Sequence, residues 1–186
     1  MPILPKQRDV FPDDLLDVAH DVPGGPRRWL VLYTLARREK DLMRKLEAAD
    51  VSFFAPLVSR RLRSSGGRTR TSFVPLFPGY VFCRADEEGR RAALATNCVS
   101  RWISAGDERM LVGDLRSIKR LVDTEQPLTP EARLEPGQPV RVRSGPLVGI
   151  EGTVVKRRGM ERLVVAVRFL NQGASIELED VDLESL

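Results

Sequence analysis

Between Thr124 and Leu134 the chain changes character, and that change limits its possible folds more than any other feature. The segment holds Pro127, Thr129 and Pro130 with little apolar pattern, as an interdomain linker would. Before it, β-type runs alternate with stretches of helical period. After it, from Glu135 onward, come only short strands separated by turns rich in glycine, proline and asparagine. A chain of 186 residues can hold one modest domain and one small one. The expected organisation is a poorly ordered leader over 1–26, a first domain over 27–123, a linker over 124–134 and a small β-barrel over 135–186.

The first domain reads as α+β. Trp29 to Leu35 is rich in aromatic and branched residues and predicts a strand. In Arg37 to Ala49, Leu42, Met43, Leu46 and Ala49 recur at helical spacing, while Arg37, Arg38, Lys40, Arg44 and Lys45 occupy the other faces. Val51 to Val58 returns to strand character. Ser59 to Ser72 carries Arg60, Arg61, Arg63, Arg68 and Arg70 without an acid, around Ser64-Ser65-Gly66-Gly67. It reads as a basic β-hairpin arm, with an irregular loop as the alternative. Phe73 to Arg84 contains a bend marked by Pro75, Pro78 and Gly79, then a core strand. Asp86 is a good N-cap for a helix through Asn97, Val99 to Ile103 is a short strand, and a last helix starts near Gly113-Asp114. Such elements build an antiparallel sheet with helices packed against it. In the leader, Phe11, Leu15, Leu16 and Val18 suit a short docking turn.

In the second domain the strands fall at 140–143, 152–157, 163–169, 175–178 and 181–183, and the absence of a helix points to a barrel. Val154, Val155, Val164, Val165 and Val167 are β-branched and favour strand over helix.

Several function classes are excluded or disfavoured. No apolar run approaches the roughly 20 residues of a membrane helix, and the acidic, proline-punctuated start is unlike a signal peptide. A cytoplasmic protein without membrane contact is expected. Cys83 and Cys98 lie outside CxxC spacing in apolar stretches, as buried free thiols do. His20 is the sole histidine. With no Walker loop, dinucleotide fingerprint, metal cluster or histidine-containing triad, no metal, cofactor or catalytic residue is expected, and the chain reads as a binding protein. The net charge of +4 is unevenly spread: Asp9, Asp13, Asp14, Asp17 and Asp21 outweigh the leader's bases, and the last residues are acidic. Positive charge is concentrated between, either as a nucleic-acid-facing surface or as a solvated face.

Two stretches carry a resemblance. Arg28–Tyr33 (RWLVLY) followed by Leu76–Phe82 (LFPGYVF) resembles the N-terminal domain of the NusG family of transcription elongation factors. Pro136–Val154 (PGQPVRVRSGPLVGIEGTV) resembles a KOW motif, which opens an SH3-like barrel. Together, in this order, they cover Arg28 to Leu186. The resemblance implies an α+β N-terminal domain of NusG type, with an antiparallel sheet flanked by helices, plus the barrel. It implies a factor that binds RNA polymerase across the DNA cleft and modulates pausing, termination or antitermination.

By the same resemblance, Tyr33, Phe77, Pro78, Tyr80 and Phe82 form an apolar patch receiving the clamp helices of the largest polymerase subunit. Each of the four aromatics reads equally as ordinary core. Arg37, Arg38, Lys40 and Lys45, with Arg90 and Arg91, would face non-template or upstream DNA. Phe169, Asn171 and Gln172 would meet a ribosomal or Rho partner through the KOW domain. The phrase Pro75–Phe82 and the compact arm look like specialised, RfaH-like antiterminators. The alternatives are a general factor coupling polymerase to Rho or the ribosome, and a ribosome-associated RNA-binding KOW protein.

Overall fold

A computed structural model describes residues 6–17, 25–63, 67, 69–157, 159–178 and 182–186. Val18, His20, Ser64-Ser65-Gly66, Arg68, Arg158 and Val181 lie outside the described residues. The chain forms two compact units, Met1–Glu108 and Arg109–Leu186.

The first unit contains β1 (Val10–Phe11), β2 (Arg28–Thr34), α1 (Glu39–Ala48), β3 (Ser52–Phe54), β4 (Leu57–Arg63), β5 (Thr69–Pro75), β6 (Tyr80–Ala85), α2 (Glu87–Ala95) and β7 (Val99–Ser104). Five strands form one antiparallel sheet in the order β1-β3-β6-β2-β7. Strand alternation sends Leu30, Leu32, Val81, Cys83 and Phe53 to one face, where they join Leu42, Met43 and Leu46 of α1 and Ala93 of α2 in the core. Trp29, Val31, Phe54 and Phe82, also buried, alternate to the other face. Asp86 caps α2 by accepting from the Gly89 amide at 2.9 Å. β4 and β5 form a separate two-stranded ribbon, so the arginine-rich stretch is a hairpin and not an irregular loop.

Part of the expected leader is built into this unit. Val10 and Phe11 pair with Phe54 and Phe53, Ala55 donates its amide to the Asp9 carbonyl, and Leu15 and Leu16 are buried. Burying Val10, Leu15 and Leu16, with Phe11 partly buried, outweighs the disordering effect of the surrounding prolines.

The second unit comprises α3 (Glu108–Asp123, except its first residue), β8 (Thr129–Glu131), β9 (Gln138–Val142), β10 (Glu151–Arg157), β11 (Met160–Val167), β12 (Gln172–Glu177) and β13 (Leu183–Ser185). α3 starts five residues before the expected Gly113. The strands form one antiparallel sheet in the order β13-β9-β10-β11-β12-β8. The end strands β13 and β8 do not pair with each other among the described residues. Gly152 sits where an added Cβ would meet the Val164 carbonyl at 2.6 Å, so only glycine allows β10 and β11 to approach this closely.

β8 lies inside the segment read as a linker. It pairs with Gly173–Ser175 of β12, and Glu131, 5% exposed, accepts a 2.6 Å bond from the Ser175 hydroxyl. Arg162 ties the same corner together, donating to Ser175 Oγ, Glu177 and Thr129 Oγ1. The division into two compact units falls at 108/109, at the start of α3.

Candidate functional site

The turn Phe77-Pro78-Gly79-Tyr80 joins the hairpin to the central strand β6 and is held from three directions. Tyr80 donates its amide to the Phe77 carbonyl at 3.1 Å, and Thr34 donates to the Gly79 carbonyl at 2.8 Å. The Gly79 amide donates to Glu39 Oε1 at 2.8 Å, with Glu39 only 9% exposed. Gly79 has φ of +86°, and a Cβ there would meet the Tyr33 ring at 3.4 Å. The positive φ selects glycine, while the Cβ distance is one of ordinary contact. The result is that Tyr33 and Tyr80, cross-strand partners, pack edge to face with ring centroids 5.2 Å apart.

Tyr33 and Tyr80 are half-buried and Pro78 is exposed. The Arg101 guanidinium lies over the Tyr33 ring at 4.9 Å. Phe77 and Phe82 differ. They are 2% and 0% exposed and pack against each other edge to face, and Phe82 stacks on Phe54. Phe77, which read from sequence equally as part of an apolar patch or as core, is interior: Pro75 ends β5, and the Leu76 amide then bonds to the Pro56 carbonyl. That closure turns Leu76 and Phe77 inward. Trp102, Ile103 and Leu35 add exposed apolar surface in the same unit, Trp102 beneath the Arg90 guanidinium at 4.8 Å.

The basic helix residues are drawn to acids. Arg38, Arg44 and Lys45 each approach Asp41 within 3.2–3.3 Å, and Lys40 donates to the Phe73 carbonyl. Arg90 and Arg91 both pair with Glu87. Arg37 is exposed with φ of +60°.

Asp41 also accepts from the Cys98 thiol at 3.3 Å. The thiol, then Lys45 and Arg44, hold its carboxyl well below the ordinary value of 3.8, at about 2. A depressed carboxyl stabilises the fold fully above 3.8, and that contribution is lost as pH falls through about 2. In a Cys98→Ala variant, carbon NMR of the Asp41 carboxyl should show its midpoint moving up toward 3.8. An unmoved midpoint would assign the whole shift to the cations. Burial pushes the Cys83 thiol up to about 12, so it is an inert core group.

In the second unit Phe169 is half-buried on a 3-10 turn, Arg168–Leu170, followed by exposed Asn171 in the left-handed region (φ +51°) and half-buried Gln172. Asp114 of α3, 6% exposed, fixes that turn. It accepts from the Arg168 backbone amide at 2.8 Å and from the guanidinium at 2.6 and 3.0 Å. Arg120 of the same helix donates to the Val148 carbonyl. Sequence inspection missed Glu39 and Asp114 as positioning residues. Asp114 was detectable: it sits three residues after Leu111 and four before Ile118, on the apolar stripe.

Among the described residues no group of side chains suits a metal ion, and no helix is long and apolar enough to cross a membrane. The family model "Transcription termination factor nusG" matches residues 27–130. The chain is 27% identical to the "Transcription termination/antitermination protein NusG" of Pseudomonas aeruginosa over 175 residues, covering 86% of this chain and 99% of that protein.

Proposed function

From the chain's membership of the NusG family of non-enzymatic transcription termination and antitermination factors, we propose that it binds RNA polymerase through the Tyr33–Tyr80 pair and Pro78. Factors of this family bind RNA polymerase. The observation that carries the site is the contrast among these five residues: Tyr33, Pro78 and Tyr80 reach the surface while Phe77 and Phe82 are interior. Two half-buried tyrosines locked edge to face make a pre-organised aromatic anchor suited to a helical pair such as the polymerase clamp helices. Phe77 and Phe82 support it from below.

Pro136–Val154 then forms the KOW element of an SH3-like second domain, and Phe169, Asn171 and Gln172 form its partner contact, kept in place by Asp114. The resemblance of Pro75–Phe82 to specialised antiterminators favours that branch. Bridging the cleft disfavours paused polymerase states, to an extent set by differential affinity for them.

The test is binding to purified polymerase with melting of the same variants. Tyr33→Ala/Tyr80→Ala should weaken binding at least about tenfold, each 1.4 kcal/mol being a factor of ten. Unfolding should move by less than the loss typical of a core aromatic, about 3–5 kcal/mol. Unchanged affinity would remove the pair from the interface.

A further inference from the structure

We propose that the partner segment seated on the Tyr33–Tyr80 pair carries a carboxylate side chain, and that Arg101 selects it through paired hydrogen bonds. This deepens the reading given above and rests on it, since the tyrosine pair must itself be the anchor.

Register places Arg101 of β7 directly opposite Tyr33 of β2. Cross-strand neighbours share one face of a sheet, and here the guanidinium lies over the Tyr33 ring at 4.9 Å. Such a contact orients the guanidinium without consuming its N–H donors.

Charge decides what those donors take. Among the described residues three guanidiniums of the first unit lie over aromatic rings: Arg8 over Phe11, Arg90 over Trp102 and Arg101 over Tyr33. Arg8 pairs with Glu47 at 3.0 Å, and Arg90 donates to Glu87 at 2.9 Å. The exposed Arg101 side chain makes no ion pair or hydrogen bond among the described residues. Acids near the pair in sequence are committed elsewhere. Glu39 accepts from the Gly79 amide, and Asp41 draws Arg38, Arg44 and Lys45. An uncompensated cation therefore stands at the edge of the aromatic surface.

A carboxylate suits that cation best, because its two oxygens match two parallel N–H donors. A partner that packs apolar side chains on the tyrosines also strips water from Arg101. In that drier setting a charge pair is stronger than in open solvent, and an unpaired charge is costly. The arginine thus rejects partners without an acid as well as favouring those with one. A phosphate would fit the same donors, but the surroundings argue against nucleic acid. A base beside that phosphate needs an open ring to stack on. Arg101 already lies over Tyr33, and Tyr80 and Gly79 crowd the same ring. Tyrosines with a single arginine are the composition of protein interfaces.

The experiment measures binding of the fluorescently labelled full chain to nucleic-acid-free core RNA polymerase at about 50 and about 500 mM salt, where charge pairs are weakly and strongly screened. Arg101→Gln, which removes the charge, should weaken binding about tenfold at the lower salt and less than about threefold at the higher. Arg101→Glu should weaken it about a hundredfold at the lower salt. Arg101→Lys, a cation without the fork, should fall between Arg101→Gln and the parent. Thermal melting confirms that each variant is folded before its binding is read.

Tyr33→Ala/Tyr80→Ala, measured beside them, separates the two ideas. If it weakens binding while Arg101→Glu binds like the parent, the anchor stands and the carboxylate inference fails. If it leaves binding unchanged, the anchor reading fails and takes the inference with it. An equal loss at both salts for Arg101→Gln also overturns the inference, because a residue that only props the Tyr33 ring acts without charge. So does unchanged polymerase affinity with weakened binding of single-stranded DNA, which would put a phosphate on Arg101.

Discussion

Phe77→Ala should lower the stability of the first unit by about 3–5 kcal/mol, the usual cost of emptying a buried phenylalanine site. The ring is 2% exposed and meets Phe82 edge to face at 6.2 Å, and Phe82 in turn stacks on Phe54. Truncation leaves a cavity beneath the Gly79 turn that rigid cross-strand neighbours cannot fill. With total stability commonly 5–15 kcal/mol, such a loss is visible in any denaturant titration. The variant that remains folded should bind polymerase within about twofold of the parent, an effect well under 1.4 kcal/mol. Phe77→Leu should recover most of the stability. If instead melting is unchanged and affinity drops tenfold, Phe77 is itself a contact and its burial is not maintained in solution.

Asp114→Ala should cost the second unit about 2–3 kcal/mol. The carboxylate is buried and serves three donors of Arg168, one of them the backbone amide. Hydrogen bonds to charged groups contribute about 1.5–3 kcal/mol each in favourable cases. The figure stays below that of a fully buried ion pair because the Arg168 side chain is 58% exposed and remains hydrated when its partner is lost. For a unit of this size the expected fall in Tm is roughly 10 °C. Exchange of the Arg168 amide should accelerate in parallel, whereas Asp114→Asn, which keeps an acceptor, should fall between. A variant that melts like the parent would show that the 3-10 turn holds itself.

The sheet and helices of the first unit were legible because their signals are local. Leu42, Met43 and Leu46 give α1 its apolar stripe, and Asp86 marks the start of α2 by the bond its carboxylate makes. What escaped reading depends on distant partners. Val10 and Phe11 become a strand only because Phe53 and Phe54 present an edge to them. Thr129-Pro130-Glu131 has no periodicity and contains a residue without an amide proton, yet Ser175 and Arg162 supply the polar partners that fix it. The candidate site was half visible. The LFPGYVF phrase located the turn, but which of its rings face water was decided by the Pro56–Leu76 closure, which joins residues across the hairpin.

The pairing of β8 with β12 bears on how the molecule can be dissected. A fragment beginning at Glu135, the natural cut from sequence, would lack both Asp114 and β8. Gly173–Ser175 would then present unpaired amides and carbonyls along a strand whose side chains are almost wholly apolar or small. Such an edge is a template for another copy's strand. The isolated fragment should therefore self-associate at concentrations where one beginning at Arg109 stays monomeric, so a precipitating short fragment would reflect a bare sheet edge and not an unstable domain.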